Sequence, residues 1–196
     1  MNSTSCRFAA CVLVIGLSSC GSTPKSPPAA AEEPQVEAAA ATTPAPARAD
    51  VKTLEFKIEI AAPVHKVWDT MLSQAGYRKW TAPFMEGGYF EGSWAEGERM
   101  HFLAPGGSGM VAVIATNRPQ ERLSIKHIGF VMNGVEDTTS DAVRSWAPAY
   151  ENYRFAAIPG GTEVTVEQDA LAGMDAYMND VWPKALAALK SLCETH

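Results

Sequence analysis

The sequence has little of what marks most chemistries. Its 16 Lys+Arg are outnumbered by 22 Asp+Glu, for a net charge of −6, and no basic run occurs. Phosphate surfaces demand clustered cations, so neither nucleic acid nor an anionic membrane surface is an expected partner. No uncharged apolar stretch reaches the roughly 18 residues a membrane-spanning helix needs. GxGxxG and Walker loops, zinc-type cysteine pairs and a GxSxG nucleophile turn are all missing. The histidines His65, His101, His127 and His196 are scattered singly, so no converging ligand set is legible, and neither a metal nor a cofactor is expected.

Cysteine is as sparse. Cys6 and Cys11 lie in an N-terminal stretch that reads as a secretory leader: Arg7, an apolar run from Phe8 to Leu17, then small residues. Leu17-Ser18-Ser19-Cys20 resembles the lipobox of bacterial lipoproteins. That resemblance implies removal of residues 1–19, diacylation of Cys20 and anchoring in the cell envelope, because two or more acyl chains hold a protein stably on a bilayer. Gly21, in place of the Asp that retains such proteins at the inner membrane, is compatible with an outer-membrane position facing the periplasm in a Gram-negative cell. Cys193 is then left without a disulfide partner and is expected to pack as a small hydrophobe.

Residues 20–50 carry ten Ala and six Pro, no aromatic residue and one large aliphatic, Val36. Such a segment buries too little apolar surface to offset its ordering entropy, and Pro34, Pro44 and Pro46 block an Ala-rich helix. It reads as a disordered tether. Composition changes at Val51: all the aromatic residues but Phe8 fall in 51–196, which forms one domain with a substantial core.

Thr53–Ile60 alternates strictly, with Leu54, Phe56, Ile58 and Ile60 on one face of a strand. Pro63 suits a first helical position, and Val64, Val67, Trp68, Met71 and Leu72 follow at helical spacing. A short turn or helix is expected around Tyr77–Trp80. Strands are expected over Tyr89–Trp94, Arg99–Leu103, Met110–Thr116, Leu123–Phe130, Tyr150–Ile158 and Glu163–Asp169, separated by Gly- and Pro-rich turns. Gly106-Gly107-Ser108-Gly109 lacks the Lys-Ser/Thr of a phosphate loop and reads as a hairpin. A stripe from Met174 to Leu192 predicts a final helix, kinked or split near Asn179 by Pro183. The acidic run from Glu136 to Asp141 reads as a solvated connection.

This order is the helix-grip plan, an α+β fold in which a curved antiparallel sheet wraps a long C-terminal helix and leaves a hydrophobic cavity. Ala61-Ala62-Pro63-Val64-His65-Lys66-Val67-Trp68 and Gly76-Tyr77-Arg78-Lys79-Trp80-Thr81 resemble the opening of the SRPBCC (START-like, birch-pollen-allergen-like) superfamily. Tyr89–Trp94, Arg118–Ile125 and Trp182–Leu186 extend the resemblance over nearly all of 51–196, nearest the branch grouped with activators of the heat-shock chaperone ATPase. That branch implies a chaperone partner, which is cytosolic, whereas this chain carries an export signal. The superfamily includes lipid carriers, receptors and cyclases, so the resemblance specifies a fold and leaves the activity open.

In such a fold, aromatic residues converge on the cavity or fill the core. Trp80, Phe84, Trp94 and Phe102 from the elbow and first strands are candidates to line a cavity, with Trp146, Tyr150, Tyr153 and Trp182 from the second half. His127 alternates with Ile125 and faces inward, whereas His101 and Phe102 take opposite faces. His127, Glu151 and Glu91 are the candidate acid–base residues. Three readings follow: a binding protein for a hydrophobic small molecule or lipid, a cyclase- or hydrolase-type enzyme using the same cavity, and an envelope adaptor with an exposed apolar patch.

Overall fold

Alternation at the start of the domain produces an edge strand. The computed structural model describes residues 51–171 and 173–195; the leader, Cys20, the tether and His196 lie outside the described residues. Strand β1 (Val51–Ile60) leads into helices α1 (Val64–Leu72) and α2 (Gln74–Trp80). Strands β2 (Tyr89–Gly92), β3 (Arg99–Leu103), β4 (Gly109–Arg118), β5 (Arg122–Met132) and β6 (Val135–Asp137) follow. A one-turn helix α3 (Asp141–Arg144), strands β7 (Ala149–Ile158) and β8 (Gly161–Leu171), and helix α4 (Asp175–Glu194) complete the domain.

The strands form one antiparallel sheet in the order β1-β8-β7-β5-β4-β3-β2, with β6 hairpinned onto β5. Register shifts between β4 and β5, at Val111/Ala112 and Ile114/Thr116, are bulges, which bend and twist a sheet locally. One face carries Leu54, Ile60, Ile114, Leu123, Tyr153, Phe155, Val164 and Val166, and against it lie α1 and α4.

A single residue makes the elbow between the first two helices. Ser73 ends α1 and caps α2: its Oγ donates to the Thr70 carbonyl (3.1 Å) and accepts from the Gly76 N–H (3.0 Å). Two indoles finish the α1 terminus, Trp80 Nε1 donating to the Met71 carbonyl and Trp94 Nε1 to the Leu72 carbonyl, both at 3.0 Å. Carbonyls that a helix end leaves unpaired are thereby satisfied from the next helix and from the loop after β2.

The structure departs from the sequence reading in three places. Strand β2 stops at Gly92, whose φ of +115° breaks the extended run and frees Trp94 to reach back to α1. The acidic run is partly ordered: Asn133 (φ 52°) and Gly134 (φ 76°) form a tight turn that pairs β6 with β5. Its carboxylates are engaged, Glu136 by Arg99 and His101, and Asp137 by the backbone N–H groups of Thr139 and Ser140.

Helix α4 is the third departure. Of the two outcomes expected at Pro183, a kink or a split, the split does not occur: α4 is one helix from Asp175 to Glu194. An interior proline costs about 3 kcal/mol in an isolated helix. Here Val181 and Trp182 precede it and Ala185, Leu186, Leu189 and Cys193 follow it, all buried on one stripe, so packing holds both halves in place. Cys193 is a free, buried thiol, and burial raises its pKa.

Candidate functional site

Between the sheet, α2 and α4 lies a cavity of about 490 Å³. Tyr77 and Trp80 of α2 and Phe84 of the following turn form one wall. Phe102 of β3, Ile125 and His127 of β5, and Tyr153 of β7 form the sheet side, and Met178 and Trp182 of α4 close it. Trp94 and Trp146 also line it. Met85, Phe130 and Met174 both line the cavity and stay exposed, at 42%, 36% and 37%, which marks them as its mouth. Across that mouth the Tyr177 hydroxyl donates to the Phe84 carbonyl at 3.2 Å, tying the first turn of α4 to the segment after α2.

The aromatic rings support one another. Trp182 stacks on Phe56 (5.7 Å between centroids) and takes Phe84 and Tyr153 edge-on at 4.9 and 6.1 Å. Tyr77 bridges Trp80, Phe90 and Phe102. Trp146 meets Phe130 at 5.0 Å near the mouth. The indole N–H groups of Trp80 and Trp94 are used up on α1, whereas those of Trp146 and Trp182 are buried without an acceptor among the described residues.

One polar cluster interrupts this apolar wall. Glu151 of β7 lies between Ile125 of β5 and Gln168 of β8 in the sheet register, so its side chain falls in the inward file of Ala149, Tyr153 and Phe155. The Tyr153 hydroxyl donates to Glu151 Oε1. His127 Nε2 stands 3.4 Å from Glu151 Oε2, a long contact, and His127 Nδ1 is buried without a partner. Burial raises the pKa values of the Tyr77 and Tyr153 phenols far above the ordinary tyrosine value, and the negative charge of Glu151 adds to both. Both phenols therefore remain neutral donors beside a carboxylate.

The positions of the candidate residues are unequal. Trp80, Phe84, Trp94, Phe102, Trp146, Tyr153 and Trp182 line one cavity, together with His127 and Glu151. Tyr150 does not. It lies between Ala149 and Glu151 on β7, so alternation turns it to the other face, where its backbone N–H donates to the Asp169 carboxylate. Glu91 is exposed on β2 opposite His101, on the outer side from Phe90 and Phe102, and takes no part in the site.

Sequence reasoning passed over Tyr77 and Gln168. Tyr77 falls on the helix that carries Trp80 into the site, and the three-residue spacing was the available signal. Gln168 continues the inward file of Val164 and Val166 on β8, and a polar side chain in phase with an apolar file is the mark of a cavity-facing group. Met110 and Phe130 carry no such signal.

Neither a family model nor a curated protein matches the chain. Solved structures do. The Aha1 dimer from Colwellia psychrerythraea is similar with a TM-score of 0.57 at 18% identity, over 73% of this chain and 96% of that one. Protein MLL2253 from Mesorhizobium loti gives 0.56 at 18% identity, over 72% and 96%. CalU16 from Micromonospora echinospora gives 0.52 at 18% identity, over 74% and 77%. Likeness at this identity establishes the architecture: the domain has the α+β helix-grip fold.

Proposed function

We propose that this chain is a lipid-anchored envelope protein whose helix-grip domain binds a hydrophobic small molecule or lipid. The observation that carries the reading is the cavity of about 490 Å³, lined by aromatic and Met side chains and opening at an exposed apolar mouth. Binding would be driven by removing the ligand's apolar surface from water, worth about 25 cal/mol per Å². The lipobox-like Leu17–Cys20 and the Ala/Pro-rich tether support the anchoring part. Neither a cofactor nor a chaperone partner enters this reading.

Two measurements test it. Native mass spectrometry of the chain purified gently from a cell envelope should show a stoichiometric small molecule, and a bare protein that also takes up no apolar probe would refute binding. Replacement of Cys20 by Ser should leave an unacylated precursor and reduce membrane retention, so normal membrane retention of that variant would refute the anchor.

A second reading is acid–base chemistry of a cyclase or hydrolase type. The contact of the Glu151 carboxylate with the Tyr153 phenol and the His127 imidazole inside the cavity favours it. A bound molecule returned chemically altered by the wild type, but unaltered by Glu151→Gln, would select this reading.

A further inference from the structure

The charge inventory of the cavity narrows what occupies it. Among the described residues lining it there is no Lys and no Arg. Glu151 and Asp169 are the carboxylates. Asp169 is committed elsewhere, its oxygens accepting from Thr53 Oγ1 at 2.7 Å and from the Tyr150 N–H at 2.9 Å. That leaves Glu151, whose side chain is only 19% exposed and whose two oxygens meet one firm donor, Tyr153, and one distant imidazole.

An anionic head group finds no Lys or Arg here, only neutral donors such as the unpartnered indole N–H groups of Trp146 and Trp182, and would share an apolar enclosure with a like charge, where desolvated charge is costly. A cationic head group meets the opposite arrangement. Glu151 offers a carboxylate, and the aromatic side chains of Phe102, Tyr77, Trp80 and Trp94, a residue class that attracts cations, line the same space. Phe102 lies 5.8 Å from the His127 ring, which places this aromatic group beside the polar cluster.

We infer that the ligand is an organic cation: an amine head group paired with Glu151, on an apolar body that fills the aromatic part of the cavity. This rests on the binding role proposed above and specifies its ligand class. It sets aside free fatty acids, although their chains would suit the walls equally well.

The test is a set of three probes with one tail, decylamine, decanol and decanoate, titrated by calorimetry into the full chain below their micellar concentrations. The amine should bind at least about tenfold more tightly than decanol, the scale expected of one charge-assisted contact out of water, and decanoate should bind most weakly. In Glu151→Gln, which keeps the side-chain shape and an oxygen for the Tyr153 hydroxyl, the amine-to-decanol affinity ratio should collapse about tenfold. General attraction of a cation to the acidic protein surface would survive that substitution. Decanoate binding as tightly as the amine, or an amine preference that persists in Glu151→Gln, overturns the cation assignment while leaving a binding cavity. Failure of all three probes to bind overturns the cavity reading and the assignment with it.

Discussion

Replacing Gly76 by alanine is expected to destabilise the domain by roughly 3 kcal/mol, the upper end of what overpacking costs. Thermal unfolding should fall by about 10 °C at that cost in a domain of this size. The sign is what makes the test informative. Gly76 lies within α2, and in an ordinary helix alanine would be better than glycine by about 1 kcal/mol. Here the added Cβ would sit 1.7 Å from the Thr70 carbonyl oxygen and 2.8 Å from Ser73 Oγ. The first contact is with backbone at the end of α1, which a side-chain rotation cannot relieve. The elbow would have to open, loosening the Ser73 hydrogen bonds to Thr70 and Gly76 and moving Tyr77 and Trp80 in the cavity wall. Circular dichroism melts of the two proteins measure this, and a midpoint that is unchanged or raised would show that the elbow is not tight.

Trp182→Ala should cost about 3–5 kcal/mol, in the range of large aromatic truncations in cores. The residue is 1% exposed and joins four rings that come from different parts of the chain: Phe56 on β1, Trp80 on α2, Phe84 after α2, and Tyr153 on β7. Its loss removes the side chain through which α4 holds both the sheet edge and the elbow. Because Trp182 also borders the cavity, the void left behind merges with it, and the site loses shape as well as contact area. Trp182→Phe retains a ring for Phe56 and Phe84 and should lose less than half as much. Urea midpoints at equal m-value report both, and equal losses for the two variants would mean that ring packing is not what Trp182 contributes.

Much of this arrangement was legible in the residues, for identifiable reasons. Leu54, Phe56, Ile58 and Ile60 repeat at the period of a strand, and Pro63 marks the start of a helix, because each is a local constraint that the rest of the fold does not oppose. The alternation that places His127 on the cavity side and His101 outside is equally local. Tyr150 and Tyr153 show where such reasoning reaches its limit. Three positions apart on a strand, they occupy opposite faces, and composition alone does not say which of them faces inward. The partners do, since Glu151 and Tyr153 share a file with Ala149 and Phe155. Pro183 marks another limit, because an unfavourable local residue was outweighed by buried neighbours on both sides of it. The Asn133-Gly134 turn carried its signal openly, but the acidic residues after it suggested solvent, while on a distant strand Arg99 supplies a counter-charge to Glu136 and His101 a hydrogen-bonding partner.

The pairing of β1 with β8 has a consequence for how this protein is made. Val51 is joined to Leu171 and Ile60 to Thr162, so β1 emerges from the ribosome about a hundred residues before the strand it pairs with. Contacts of such long sequence separation require an expensive loop closure before they return any stabilisation, which slows folding. Until β8 appears, the apolar file Leu54, Phe56, Ile58 and Ile60 has no sheet to join. This topology therefore keeps the sheet from closing until β8 has been made, and the chain stays unfolded at its edge strand for most of its synthesis.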